Sequence, residues 1–157
     1  MPLRLRLNYL LIPLFVIITA SAASYFADTG MAWYKTIKLP DWTPPNSIIV
    51  LSWTIVFVLT SLSILLIWNK YSSVKDFSLI MWMFVLNAVM IVGWNILFFS
   101  QQQIGLAFFG AVLLISNIVA LIFLIWKFSP LTASLLLPYS LWVTFSLVLT
   151  LKVWMIN

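Results

Sequence analysis

Between Asp76 and Lys127 the chain runs 50 residues, Phe77–Trp126, without a charged side chain. No water-facing surface can be built from such a stretch, and one transmembrane helix uses only about 20 apolar residues. The run must therefore cross a bilayer twice. Ser100-Gln101-Gln102-Gln103, with Gly105 just after, marks the turn, because successive amides are costly in hydrocarbon. Three further charge-free runs, Leu7–Ala27, Trp42–Asn69 and Phe128–Leu151, hold one helix each. With 7% charged residues, against roughly 25% in a soluble domain, the chain is expected to be an all-α integral membrane bundle. The spacing predicts five transmembrane helices in a single domain, 1–157, with a long loop at 28–45. Alternating ten-residue segments of a β-barrel are not seen.

The residue types limit the chemistry. The chain has no Cys and no His, which excludes disulfides, a thiolate or imidazole metal site, and Ser-His or Cys-His catalysis. No metal site and no required cofactor are expected. Asp28, Asp41 and Asp76 all fall at span ends, so no acid–base pair for hydrolysis lies within the membrane. The net charge of +5 sits at helix ends and suits lipid headgroups better than nucleic acid.

Spans alternate in direction, which sorts the cations onto two sides. Arg4, Arg6, Lys70, Lys75 and Lys127 fall on side A, and Lys35, Lys38 and Lys152 on side B with the long loop. The positive-inside rule then makes side A, with the N-terminus, cytoplasmic. Residues 1–30 also resemble a secretory signal peptide, with Arg4 and Arg6 before an apolar stretch and Ala20-Ser21-Ala22 as a cleavage-like site. The apolar stretch of about 20 residues exceeds the 7–15 of a signal core, so a retained helix is expected. The next spans are predicted from Asn46 or Ser47, as N-cap, to Asn69, then over Phe77–Phe99, Ile104–Trp126 and Leu131–Trp154. Short connections make consecutive helices antiparallel neighbours. Pro13 and Pro138 fall inside spans and should kink or unwind them.

The long loop ends in Leu39-Pro40-Asp41-Trp42-Thr43-Pro44-Pro45, a stiff, extended strap. Nine tryptophans occupy the chain. An aromatic belt at the headgroups accounts for Trp68, Trp126 and Trp154. A rise of 1.5 Å per residue puts Trp53 and Trp94 about 10 Å, and Trp142 about 15 Å, in from the side B ends of their helices. Above that level the loop carries Trp33, Tyr34 and Trp42. Two readings fit: rings filling a core, or an aromatic pocket under a lid, suited to a flat hydrophobic ligand. Asn87, Asn95, Asn117 and Tyr139 are the polar groups within the spans, and Asn117 is expected to bond another helix. Asn87 shares a helix face with Trp94.

Three stretches together resemble the translocator protein family, also called peripheral-type benzodiazepine receptors or bacterial tryptophan-rich sensory proteins. They are Trp33-Tyr34 with the proline strap and Trp53; Trp94 with Phe98-Phe99 and Gln102; and Leu135-Leu136-Leu137-Pro138-Tyr139 with Trp142 and Phe145. The resemblance implies a five-helix bundle, often a homodimer, in a bacterial cell membrane. It also implies binding of tetrapyrroles such as protoporphyrin IX or haem, of sterols, and of isoquinoline or benzodiazepine drugs, in a pocket under the loop. The ligand-binding set so implied is Trp33, Tyr34, Trp42, Trp53, Asn87, Trp94, Phe98, Tyr139, Trp142 and Ser146. Trp53 and Trp142 match tryptophans implicated in light-dependent porphyrin degradation by some bacterial members, which makes porphyrin a ligand or a substrate. Transport of porphyrin or sterol is a third reading, although the spans carry neither charges nor a repeat.

Departures are specific. Ile91 stands where the family usually has Asn, with Asn87 one turn earlier as the expected replacement, and Leu149-Thr150 stands where many members have Leu-Asn. No Tyr follows Tyr139, so the C-terminal sterol motif is missing. A match to that pattern at Leu66, Tyr71 and Lys75 falls in a loop. Small residues at Ala107–Ala111 and Ser116–Ala120 have the spacing of helix-dimer contacts.

Overall fold

The computed structural model describes residues 7–157. Arg4 and Arg6, which carry part of the orientation argument, lie outside the described residues. The elements are α1 (Asn8–Thr29), α2 (Met31–Tyr34), α3 (Asn46–Lys70), α4 (Phe77–Asn95) with a terminal π-helical turn (Ile96–Ser100), α5 (Ile104–Trp126), α6 (Pro130–Ser134) and α7 (Leu137–Ile156). Among the described residues, five helical spans are long and apolar enough to cross a membrane, α6 and α7 forming the fifth. The protein is thus a multi-pass integral membrane bundle.

Each span buries one stripe at helical spacing. In α1 the buried residues are Ile12, Val16, Thr19 and Ala23, and in α4 they are Ile80, Phe84, Asn87, Ile91 and Asn95. The opposite faces are equally apolar, as lipid demands. Buried side chains stack in three layers down the bundle. One, around Ile64, Ile67 and Ile80, lies toward side A; the next holds Val56, Ile118 and Tyr139; the third, around Phe98 and Val153, meets the long loop.

Round the bundle the order is α1, α4, α5, α7, α3, closing where α3 meets α1. This corrects the expectation that consecutive spans are always neighbours: α3 and α4 follow in sequence, yet α1 packs between them. Their connection has six residues, 71–76, which can reach about 20 Å when extended and so can pass an intervening helix. Asn8 at the start of α1 donates to Asn69 at the end of α3 (3.0 Å), fixing that end of the contact.

The prolines act differently. Pro13 is accommodated inside α1 without interrupting it. The fifth span breaks at Leu135-Leu136, immediately before the first turn of α7, where Pro138 sits; without an N–H, a proline there cannot bond back to Ser134, and its ring crowds that carbonyl. At α3 the cap position belongs to Pro45 rather than Asn46 or Ser47. Its extended backbone (φ −62°, ψ 153°) aims its carbonyl to accept from Ile48 (3.0 Å) and Ile49 (3.3 Å) without side-chain help.

One buried polar network ties three helices. Tyr139 donates its hydroxyl to Asn87 Oδ1 (2.8 Å), Asn87 Nδ2 donates to Asn117 Oδ1 (3.0 Å), and Asn117 Nδ2 donates to the Met83 carbonyl (3.4 Å). Asn117 thus bonds across helices, as a buried amide must. Tyr139→Phe should lower stability by about 1 kcal/mol, read as a reduced thermal-unfolding midpoint in detergent. An unchanged midpoint would mean the network contributes nothing.

Candidate functional site

Beneath α2, in the side B half, the bundle forms a cavity of about 360 Å³. Ala20, Ala23 and Ala27 of α1 leave the room, since small side chains cannot fill it. Aromatic residues supply much of the rest of the wall: Trp53 and Phe57 from α3, Trp94 from α4, Phe98 and Phe99 from the π turn, and Trp142 and Phe145 from α7. Met31 and Tyr34 form the roof. The tryptophans each lie against a phenylalanine ring: Trp53 on Phe57 (5.7 Å), Trp94 on Phe98 (5.0 Å) and Trp142 on Phe145 (5.4 Å).

The π turn brings neighbouring phenylalanines into the roof. Its wider winding is closed by Gln101 N–H donating to the Ile96 carbonyl, five residues back (2.8 Å). Gln102 then takes a left-handed conformation (φ 58°) to turn the chain into α5, a strained choice for a non-glycine residue. Trp33 meets Phe98 edge-on at 5.7 Å, and Tyr34 meets Phe99 at 5.5 Å. Burial pushes the Tyr34 phenol above its usual pKa, so it stays protonated.

The loop is fixed at both ends. Thr29 and Ser100 share a hydroxyl–hydroxyl bond (2.6 Å), and both hydroxyls also reach the Phe26 carbonyl. Gly30 lies so close to the Phe99 backbone that an added Cβ would collide with the Phe99 carbonyl group. At the far end the Asn157 amide spans Lys38: the Lys38 N–H donates to Oδ1 (2.9 Å) and Nδ2 donates to the Lys38 carbonyl (2.9 Å). Beyond Lys38, Thr43 closes the proline strap by donating its hydroxyl to the Pro40 carbonyl (2.7 Å).

Among the residues singled out from sequence, Tyr34, Trp53, Trp94, Phe98, Trp142 and Ser146 line the cavity. Trp33 stands behind Phe98, and Trp42 lies edge-on against Phe145 at 5.8 Å. Asn87 and Tyr139 sit deeper, outside the wall, and are committed to each other and to Asn117. The polar amide in the wall is instead Asn95, whose Nδ2 donates to the Ile91 carbonyl (2.9 Å). The signal for it was its place one turn after Ile91, beside Trp94. Two indole N–H groups, Trp94 Nε1 and Trp142 Nε1, are buried without a hydrogen-bond partner. Each such orphan costs about 1–3 kcal/mol, and both belong to residues of the cavity wall. They offer donors to an acceptor-bearing ligand.

The TspO/MBR family model matches residues 9–155. The chain belongs to the TspO/MBR family. It is 32% identical over 126 residues to the tryptophan-rich protein TspO of Bacillus cereus, covering 80% of each chain. It is 30% identical over 133 residues to the uncharacterized membrane protein YtaB of Bacillus subtilis, covering 85% of each. The human translocator protein is 27% identical over 130 residues, which is 82% of this chain and 76% of that one.

In this TspO/MBR protein, then, the roof height is set where Gly30 meets the π turn. Gly30→Ala should force that joint apart and cost roughly 1–3 kcal/mol. Thermal unfolding should show the loss, and limited proteolysis should cut residues 35–45 faster than in the wild type. An undisturbed midpoint with unchanged cleavage would contradict the joint.

Proposed function

We propose that this TspO/MBR protein is a membrane-embedded binding or sensing protein for a flat hydrophobic ligand, and that the ligand is a tetrapyrrole such as protoporphyrin IX or haem. The observation that carries the reading is the wall itself: three indole–phenyl pairs facing one space. Aromatic faces take up a planar conjugated ring by stacking, each good contact being worth about 0.5–1.5 kcal/mol beyond area burial. The orphan N–H groups of Trp94 and Trp142 add donors for carbonyl or pyrrole acceptors. With no His or Cys, a haem iron could draw an axial ligand only from Tyr or Met. Binding then rests on shape and stacking, and metal-free porphyrin should do at least as well as haem. Isoquinoline and benzodiazepine drugs, also aromatic and apolar, suit the same walls.

Trp53 and Trp142 both border the space. That favours, as a second reading, light-dependent breakdown of a bound porphyrin, in which the photoexcited ring takes one electron from an adjacent indole and dioxygen is the oxidant that opens the ring. One experiment addresses both. Titration with protoporphyrin IX should quench tryptophan fluorescence saturably, and Trp53→Phe and Trp142→Phe should each weaken binding about 2–10-fold. Unchanged affinity in both variants would contradict the site. Repeating the titration under illumination, porphyrin loss faster than in the Trp53→Phe/Trp142→Phe double variant would favour turnover, and equal loss would leave binding alone.

A further inference from the structure

The cavity has one side that is not sealed. Where α1 meets α3 its wall is made by Ala20, Ser24 and Asp28 on one helix and Asn46, Val50 and Thr54 on the other. All of these except the half-buried Ala20 are exposed, Val50 at 56%. The eight residues from Asp28 back to Ala20 span about 12 Å of helix, so this mouth runs from the interface into the hydrocarbon. The roof, by contrast, is held at both ends by Thr29–Ser100 and Lys38–Asn157. A macrocycle stacked on the aromatic walls would have its outer edge toward this opening, where the exposed lining residues lie.

Asp28 is the charged residue of that wall, while Lys35 and Lys38 of the same loop are not part of it. It sits in the last turn of α1, where the helix carbonyl end adds negative potential of the same sign. Water screens a carboxylate poorly at the edge of a bilayer, so repulsion of a second carboxylate is stronger there than in bulk.

We propose that Asp28 is a specificity-determining residue at a membrane-facing mouth between α1 and α3, admitting ligands whose outward edge is neutral or cationic and disfavouring those that present a carboxylate. The proposal rests on the tetrapyrrole reading and sharpens it: a porphyrin ester, or a macrocycle without acid side chains, is a better ligand than a porphyrin diacid.

The test compares each ligand with itself across variants, so that differences in membrane partitioning cancel. Wild type, Asp28→Asn and Asp28→Lys, reconstituted in phosphatidylcholine nanodiscs, are titrated with protoporphyrin IX and with its dimethyl ester by fluorescence quenching. Asp28→Asn should tighten the diacid about fivefold, Asp28→Lys should tighten it further, and the ester should move less than twofold in either. Equal effects on diacid and ester, or none on both, would overturn the charge filter while leaving the tetrapyrrole reading intact. Failure of either porphyrin to quench the wild type saturably would overturn the tetrapyrrole reading and, with it, this assignment. Asp28 is exposed, so its replacement should leave folding within about 0.5 kcal/mol, checked by the unfolding midpoint.

Discussion

The joint between Gly30 and the Phe99 backbone is the contact on which the side B half depends. It exists because Gly30 lacks a Cβ and because the π turn carries Phe99 toward α1. From it the chain can go straight into α2, which places Met31 and Tyr34 as a roof over the gap left by the alanines of α1. The Thr29–Ser100 bond and the Asn157–Lys38 amide pair keep the loop against the bundle on either side. A larger residue at position 30 would lift the roof; an ordinary α-helical end to α4 would put Phe98 and Phe99 elsewhere. The aromatic walls follow from helix positions, but their closure follows from this joint.

Two kinds of force then divide the molecule. Toward side A and in the middle, close packing of branched side chains and the Tyr139–Asn87–Asn117 network lock α4, α5 and α7 together. Most polar groups there are partnered within the bundle, the Thr60 hydroxyl being an exception. Toward side B the economy is different: indole donors remain unpartnered, small residues leave space, and the wall facing α3 is exposed. Asn87, expected at the ligand, is bonded within that network and lies outside the cavity wall.

Much of this was legible in the chain before any coordinates. Charge-free runs gave the five spans, the glutamine cluster gave the turn before Ile104, and Pro138 marked the break in the last span. The 1.5 Å rise was enough to put Trp53, Trp94 and Trp142 at related depths, and all three border the cavity. What stayed hidden has a common cause. In lipid both faces of every helix are apolar, so no periodicity says which face is buried, and the placement of α1 between α3 and α4 could not be read. The choice of Asn95 over Asn87 depends on that same rotation. The π turn, the Gly30 contact and the Asn157 amide pair are long-range backbone arrangements without a local sequence signature.

The central claim is that a flat ligand sits inside the bundle, beneath the pinned loop. The most direct measurement is a structure of the protein determined with protoporphyrin IX bound in a lipid environment. The account predicts the macrocycle in contact with Trp53 and Trp142 under Tyr34, its outer edge between α1 and α3. A porphyrin resolved on the lipid-facing surface, with those side chains untouched, would contradict it.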